Sequence, residues 1–197
     1  MIKRRLLEAI VATAIGTVFG LSDSRGETNA AVPVADGTAT IGPENTKLQF
    51  VCAHVGAKPD PRKGGFAKFS GKAQVDPAMK SLKSISFDID TNSLWTEFDM
   101  LTTHLKSPDF FEVRRFPTAK FESTKIENGA AGGQISGKLT LHGVTKEISI
   151  PAKLEVTDAG VKLTSEFTIN RLDYGISFDP KKVEEKVSLT VMIGEKT

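Results

Sequence analysis

The sequence predicts an all-β protein, an antiparallel barrel of about eight strands with one amphipathic helix and an aromatic segment capping it. Three observations support this fold class. Most segments after residue 37 alternate apolar and polar residues with a period of two. Gly, Asn and Asp residues mark short turns between these segments. Because such one-sided strands joined by short turns form antiparallel sheets, one face must be hidden by curling or by stacking.

The alternating segments predict the strands in chain order. A weak segment occurs at 38–41, and stronger ones follow at 47–54, 67–75, 84–90, 119–122, 134–141, 148–156, 161–169 and 187–193. Their expected inward positions include the small residues Ala67, Gly71, Ala73, Gly137, Ala152 and Ser165. We expect these small side chains to leave space inside, which favours a barrel over a sandwich. A barrel of this size is filled by its own side chains or holds one slender ligand.

The stretch 94–117 carries helical spacing and much of the aromatic content. Its apolar residues at intervals of four, three and four are Leu94, Phe98, Leu101 and Leu105. We expect Thr96 to be the N-cap, with Asp99 completing a capping box. Ser107 and Pro108 should end the helix and begin a second short turn. An amphipathic helix among strands needs an apolar surface, and the mouth of the barrel supplies one.

The chain divides into three predicted parts. Residues 1–30 have the basic start and apolar middle of a secretory signal, residues 31–37 resemble a linker, and residues 38–197 form the barrel domain. The alternative for the first part is an uncleaved membrane anchor. Its apolar run is interrupted by Glu8 and is short for a span of about 20 residues, which disfavours an anchor. We therefore expect a secreted protein.

The charge distribution disfavours a nucleic-acid partner. The first 26 residues hold four basic and two acidic residues, and subtracting these from the totals of 26 and 24 leaves 22 of each. The expected mature chain is therefore neutral, and the basic pI belongs to the leader. The adjacent pair Arg114 and Arg115 is too small to form a nucleic-acid footprint.

No motif in the sequence indicates catalysis, a metal or a cofactor. The single cysteine, Cys52, lies in a β-pattern and is expected to be a buried structural thiol. The residues His54, His104 and His142 lack second ligands at metal-binding spacing, and local turn or cap hydrogen bonds are the expected role for the last two. Arg171 and Asp173 are expected to pair across a tight turn, and a role in binding a head group remains the alternative.

Three stretches together resemble the YceI-like family of polyisoprenoid-binding, lipocalin-like proteins. They are LTTHLKSPDFFEVRRFPTAKFEST at 101–124, GKLTLHGVTKEI at 137–148 and INRLDYGI at 169–176. The resemblance runs from about residue 38 to the C-terminus. It implies a lipocalin-like barrel with a hydrophobic tunnel, secretion to the periplasm, and an isoprenoid lipid of the polyprenyl-phosphate or isoprenoid-quinone type. Transient contact with a membrane and dimerisation are left open.

The predicted ligand surface combines the inner wall with the cap. The wall candidates are Phe69, Phe87, Ile89, Phe121, Leu139, Leu141, Phe167 and Ile169. The cap candidates are Trp95, Phe98, Leu101, Leu105, Phe110 and Phe111. Any one of them is equally explained as core packing, so the prediction concerns the set. Two other functions remain open: a lipid-modifying enzyme, disfavoured because the clearest inner faces carry no charged residue, and a packed barrel that acts as a structural or interaction module.

Overall fold

The structure is a computed structural model that describes residues 30–56, 60–129 and 132–195. The predicted secretory signal at 1–30 lies almost wholly outside these residues. The first six strands are β1 Val34–Ala35, β2 Thr38–Ile41, β3 Thr46–Ala53, β4 Pro61–Phe66, β5 Phe69–Asp76 and β6 Ser81–Asp90. The remaining elements are β7 Leu94–Thr96, α1 Asp99–Lys106, β8 Thr118–Glu127, β9 Gly133–Leu141, β10 Val144–Thr157, β11 Gly160–Asn170 and β12 Lys186–Ile193.

The strands form one antiparallel sheet that curls into a barrel, as predicted. Within the described part of the chain the order is β1-β2-β5-β6-β8-β9-β10-β11-β12-β3-β4-β7. Neighbours along the chain are joined by tight turns such as His142–Gly143, where both residues have positive φ values of 51° and 74°. Two consecutive positive φ angles suit the twist of a hairpin.

The count of twelve strands exceeds the predicted eight because three long strands are divided at one corner of the barrel and because β1 is an additional short strand. β2 continues into β3, β4 into β5, and β6 into β7. The pairing runs across the corner: Phe66 opposes Leu94 on one side, and Phe69 opposes Ile89 on the other. Between these pairs, the amide of Ala67 donates to the carbonyl of Ser93 at 3.1 Å. The two ends of the sheet are therefore joined through continuous chain.

Strand β10 changes partner near Pro151. It pairs with β9 over residues 144–152 but with β11 only over 153–157. Proline has no amide hydrogen to donate to a ladder. The hydroxyl of Ser165 instead donates to the carbonyl of Pro151 at 2.6 Å. The two halves of the sheet thus meet at this residue.

The stretch 31–37, expected to be a linker, is part of the fold. It contains β1, and Val32 exchanges two backbone hydrogen bonds of 2.9 Å with Val161. The side chain of Val32 is buried in the core. The pattern missed this segment because it is short and interrupted by Pro33 and Gly37.

The helix is shorter than predicted and starts later. Residues 94–96 form β7, so Leu94 lies in a strand although its spacing matched the helical stripe. The N-cap is Phe98, which makes no side-chain capping bond, so the predicted capping box of Thr96 and Asp99 is wrong. The hydroxyl of Thr96 instead contacts that of Thr102 at 2.9 Å. The predicted end is confirmed, because α1 stops at Lys106 and Ser107 is its C-cap.

The sequence suggested that the small inward residues leave empty space. In the structure, neighbouring side chains occupy that space. Beside Gly71, a Cβ atom would lie 3.3 Å from the side chain of Ile41 and 3.4 Å from the ring of Phe87. Ala67 is exposed at the corner and does not face inward. Small residues here accommodate neighbouring large ones, which is how close-packed interiors are built. Within the described residues, no helix is both long and apolar enough to span a bilayer.

Candidate functional site

One end of the barrel encloses a cavity of about 190 Å³. Its walls come from β3, β4 and β12 together with single residues or pairs from β6, β8, β9 and β11. It is covered by α1, by the aromatic residues that follow α1, and by the loop 176–183. Most of the lining side chains are aliphatic or aromatic. The arrangement is a sheet-walled apolar cavity under a helical cap, which agrees with the prediction that the helix covers the mouth.

The structure brings eight of the fourteen predicted ligand residues to this cavity. They are Ile89, Leu101, Leu105, Phe110, Phe111, Leu139, Leu141 and Ile169. Among the others, Phe69, Phe87 and Phe121 are buried in the packed half of the barrel, and Phe167 packs partly buried against the core. The interior is therefore solid at one end and hollow at the other. Whether these residues bind a lipid stays a prediction.

Trp95 and Phe98 lie away from the cavity wall. Trp95 opposes Gly65 in the ladder between β7 and β4, one position away from the inward-facing Phe66 and Leu94. Its indole covers Gly65, where a Cβ atom would meet the ring at 3.0 Å. Phe98 is 49% exposed, and its ring lies under the guanidinium of Arg62. The helical pattern placed both residues on the cap because it extended the helix across β7.

Three aromatic rings form one wall of the cavity. The ring centroids of Phe50 and Phe66 are 6.1 Å apart, those of Phe66 and Phe111 are 5.9 Å apart, and those of Phe50 and Phe111 are 6.5 Å apart. Such spacings are typical of favourable aromatic pairs. Phe111 follows α1, whereas the other two residues lie on β3 and β4. The contacts among these three rings therefore attach the cap to the barrel.

A second aromatic contact joins the cap to the loop 176–183. The ring of His104 lies edge-on to Phe110 and to Phe178, each at a centroid distance of 5.0 Å. Its Nε2 atom is 3.0 Å from a carboxylate oxygen of Asp109, which is the local hydrogen bond that the sequence predicted. No metal-binding group of His, Cys, Asp and Glu residues occurs in the part of the chain that the structure describes.

His142 lies in the turn before β10, but its hydrogen-bond partner is distant in the sequence, so the expected local role is wrong. Its Nδ1 atom is 3.1 Å from the carbonyl of Tyr174, so the β9–β10 turn holds the 3-10 turn Arg171–Tyr174. Its Nε2 atom is buried without a hydrogen bond and lies 3.9 Å from the carboxylate of Glu112. The side chain connects the segment after α1 to the start of the loop region.

Arg171 is a buried cation at the cavity, and its predicted pairing with Asp173 is wrong. Its Nε, Nη1 and Nη2 atoms donate to the carbonyls of Glu184, Ile176 and Val183 at 3.0, 2.7 and 2.9 Å. Asp173 instead lies 3.5 Å from the ammonium group of Lys146. Burial lowers the pKa of Arg171 from its ordinary value. The side chain ties the loop to the start of β12.

Cys52 and Arg62 are opposite each other on β3 and β4 and both line the cavity. The thiol of Cys52 lies 3.6 Å from the carbonyl of Glu184, the same oxygen that accepts from Arg171. Burial raises the pKa of this thiol, while the nearby Arg171 acts in the opposite direction. The thiol is free but only half-buried, so it is less buried than the structural cysteine that the sequence predicted.

Among the described residues, the clearest inner faces of the predicted strands contribute no charged residue to the cavity, but two arginines outside those faces line it. Arg62 and Arg171 both line the cavity. Arg62 lies between the predicted strands 47–54 and 67–75, where the sequence predicted no strand, although residues 61–66 form β4. Arg171 belongs to a turn whose carbonyl partners are several residues away, beyond the reach of a local pattern. Strict alternation from Phe69 back over seven positions places Arg62 on the outer face, and the exposed corner at residues 67–68 reverses this parity and turns Arg62 inward.

These features define a class: a curled antiparallel barrel with a capped apolar cavity, of the kind that binds small hydrophobic molecules. The model of the YceI-like domain matches residues 40–194. The chain belongs to the YceI-like family. A UPF0312 protein of Pseudomonas aeruginosa is 34% identical over 136 residues, which cover 66% of this chain and 71% of that protein.

Solved structures share the fold. The crystal structure of Burkholderia cenocepacia BcnA matches with a TM-score of 0.67 at 23% identity, covering 75% of this chain and 94% of that one. A polyisoprenoid binding domain from Saccharophagus degradans, implicated in plant cell wall breakdown, matches with a TM-score of 0.61 at 16% identity. That alignment covers 80% of this chain and 96% of the domain.

Proposed function

We propose that the protein binds an isoprenoid lipid in the cavity and transports, stores or sequesters it in the periplasm. The observation that carries this proposal is an apolar cavity under a helical cap at one end of the barrel. A barrel packed throughout as a purely structural module has no such space. The polyisoprenoid binding domain from Saccharophagus degradans has the same fold, which supports the ligand class.

Burial of the hydrocarbon supplies the driving force for binding. Each buried CH₂ group contributes about 0.8 kcal/mol, so a few isoprene units offset the cost of association. The side chains of Leu48, Leu139 and Leu189 offer the tail an apolar wall. The protein acts by keeping an insoluble chain out of water and performs no reaction on it.

The size of the cavity limits how much of a chain it encloses. At about 190 Å³ it is only slightly larger than an engineered cavity of about 150 Å³ that binds benzene. One ring or a branched five-carbon unit therefore fits with the cap in this position, and a longer tail requires the cap to move outward. No residue of α1 is fully buried, so an outward movement of this helix breaks mainly the apolar contacts that Leu101 and Leu105 make at the cavity.

Lipid extraction from natively purified protein tests the proposal. The protein is expressed with its leader, isolated without detergent, extracted with organic solvent and analysed by mass spectrometry. We expect a prenyl phosphate or prenyl quinone in stoichiometric amount. Protein that is empty and also fails to take up both classes of lipid in solution contradicts the proposal. N-terminal sequencing of periplasmic protein tests the leader and the location in the same preparation.

A further inference from the structure

The ionisable groups that line the cavity are cationic or neutral. They are Cys52, His54, Arg62, His104 and Arg171, and no Asp or Glu side chain of the described residues lines the cavity. An apolar cavity needs no charged groups to hold a hydrocarbon tail. The fixed charges of this lining are those of the two arginines, and both are positive. Their sign is informative about the remainder of the ligand, because the potential in a low-dielectric site follows its nearest charges.

The two arginines lie on either side of one residue. Arg62 is the cross-strand partner of Cys52, and Arg171 donates to the carbonyl of Glu184 that the Cys52 thiol also contacts. One guanidinium thus approaches from β4 and the other from the turn before the loop. A ligand group that lies over Cys52 is therefore in the part of the cavity that Arg62 and Arg171 both line.

Arg171 has no carboxylate ion-pair partner within the described residues, although it is only 3% exposed. Its three hydrogen bonds all go to neutral carbonyls. The nearby acids are engaged elsewhere: Asp179 lies 3.1 Å from Lys182, and Glu185 accepts from Asn170 at 3.2 Å. A guanidinium has five N–H donors, so donors remain for a ligand. Burying a cation without a counter-charge is costly, and a bound anion would supply one.

Arg62 is held in place at the mouth of the cavity. Its guanidinium pairs with the carboxylate of Asp60 and lies over the ring of Phe98, 4.8 Å from the ring centroid. Its side chain is 34% exposed, so it is accessible to a polar group at the opening. A guanidinium fixed in this way loses little freedom when it binds an oxyanion.

We propose that Arg62 and Arg171 form a head-group site for an anionic isoprenoid, whose phosphate or carboxylate lies beside Cys52 while its tail fills the apolar part of the cavity. This inference rests on the proposed function, because it assigns the head group of the same ligand. It favours prenyl phosphates or prenyl acids over prenyl quinones and prenyl alcohols. Oxyanions suit arginine because its fork of donors matches two oxygens at once.

The test compares ligands with one tail and different heads. Farnesyl monophosphate, farnesoic acid and farnesol are titrated into the delipidated full protein by calorimetry, with inorganic phosphate as a fourth titrant. We expect the two anions to bind at least about tenfold more tightly than farnesol, since hydrogen bonds to charged groups are the strong ones. The Arg62→Gln variant should lose most of this preference, so that its affinity for the two anions falls toward its own affinity for farnesol.

Arg115→Gln is the matched control. Arg115 also has a carboxylate neighbour, Glu112 at 3.7 Å, and lies 5.0 Å from the centroid of the Phe116 ring, but it does not line the cavity. The Arg115→Gln variant should keep the full preference for anions over farnesol. Arg171→Lys retains the positive charge and is assessed beside Arg62→Gln, with circular dichroism confirming that each variant is folded.

The outcomes separate the two proposals. Equal affinity for farnesol and farnesyl monophosphate overturns the proposed anion site and leaves lipid binding intact. A preference for anions that survives in the Arg62→Gln variant has the same consequence. Failure of all three farnesyl compounds to bind contradicts the proposed function as well. Inorganic phosphate that binds as tightly as farnesyl monophosphate shows an ion site without a lipid and overturns the inference.

Discussion

The ring of Phe121 occupies the space beside Gly137, where an added Cβ atom would lie 2.6 Å from Cζ of the ring. The two residues lie on the neighbouring strands β8 and β9, and Gly137 is opposite Ser123 in the ladder. A residue without a side chain at this position allows the phenyl ring to lie flat against the sheet. The packed half of the barrel depends on this close fit, since overfilled interiors force side chains and backbone to shift.

Replacing Gly137 with alanine should therefore destabilise the protein. We expect the free energy of unfolding to fall by about 1–3 kcal/mol, because the new methyl group collides with the Phe121 ring and with the carbonyl of Glu122. Urea denaturation measures the change. Gly56→Ala is the control, because no atom lies within 4 Å of a Cβ built there. Equal stability of the two variants would show that the ring adjusts freely.

A larger side chain under the cap should block the cavity. Leu105→Trp places an indole in space that Leu105 lines on α1, so we expect uptake of farnesol to fall at least about tenfold. Met100→Trp makes the same indole substitution on the same helix at a residue that is 88% exposed, and it should bind normally. Calorimetry measures the affinity and circular dichroism checks the fold. Normal uptake by folded Leu105→Trp would place the ligand elsewhere.

Removal of the Arg171 guanidinium should loosen the loop beside the cavity. Arg171→Gln leaves the carbonyls of Ile176, Val183 and Glu184 without their charged donor, and we expect a loss of about 2–4 kcal/mol in stability. Thermal unfolding measures the loss, and hydrogen exchange at 176–184 locates it. The exposed Arg114→Gln should change neither quantity. Unchanged exchange in Arg171→Gln would show that the loop is held by its apolar contacts alone.

The Cys52 thiol should react slowly with iodoacetamide. Burial raises its pKa, so at any pH near neutrality the reactive thiolate fraction is smaller than that of a free cysteine, and the rate should rise only at higher pH. Mass spectrometry follows alkylation across a pH series, with N-acetylcysteine as the reference compound. Because Cys52 lines the cavity, bound lipid should slow the reaction further. A pH profile that matches the reference compound would contradict burial of the thiol.

The strands were predictable because alternation is a local property of the sequence. Residues such as Phe87 and Leu139 face inward on strands with a clear period of two. The corner that divides β4 from β5 was not predictable, because its ladder depends on Ser93 and Asp90, which are distant in sequence. The alternation pattern therefore predicted the long strands but not the corner at which they divide into shorter ones.

The site was predictable only in its apolar part. Leu101 and Leu105 share a helix face in the sequence and reach the cavity together. Leu94 fitted the same spacing by coincidence, since it belongs to β7. The partners of Arg171 lie on a separate segment, so its bonds to main-chain carbonyls have no signature in residue types. The sequence offered Asp173 as the carboxylate nearest to Arg171, but Asp173 pairs with Lys146 instead.

The seam between β3 and β12 pairs Phe50 with Leu189 and so joins an early segment of the chain to its last strand. A nascent chain leaving the ribosome cannot form this seam until β12 has been synthesised. Contacts so distant along the chain make folding slow, because a long loop must close before they form. An incomplete chain exposes the unpaired edges of β3 and β11, so newly made protein depends on protection from aggregation until synthesis ends.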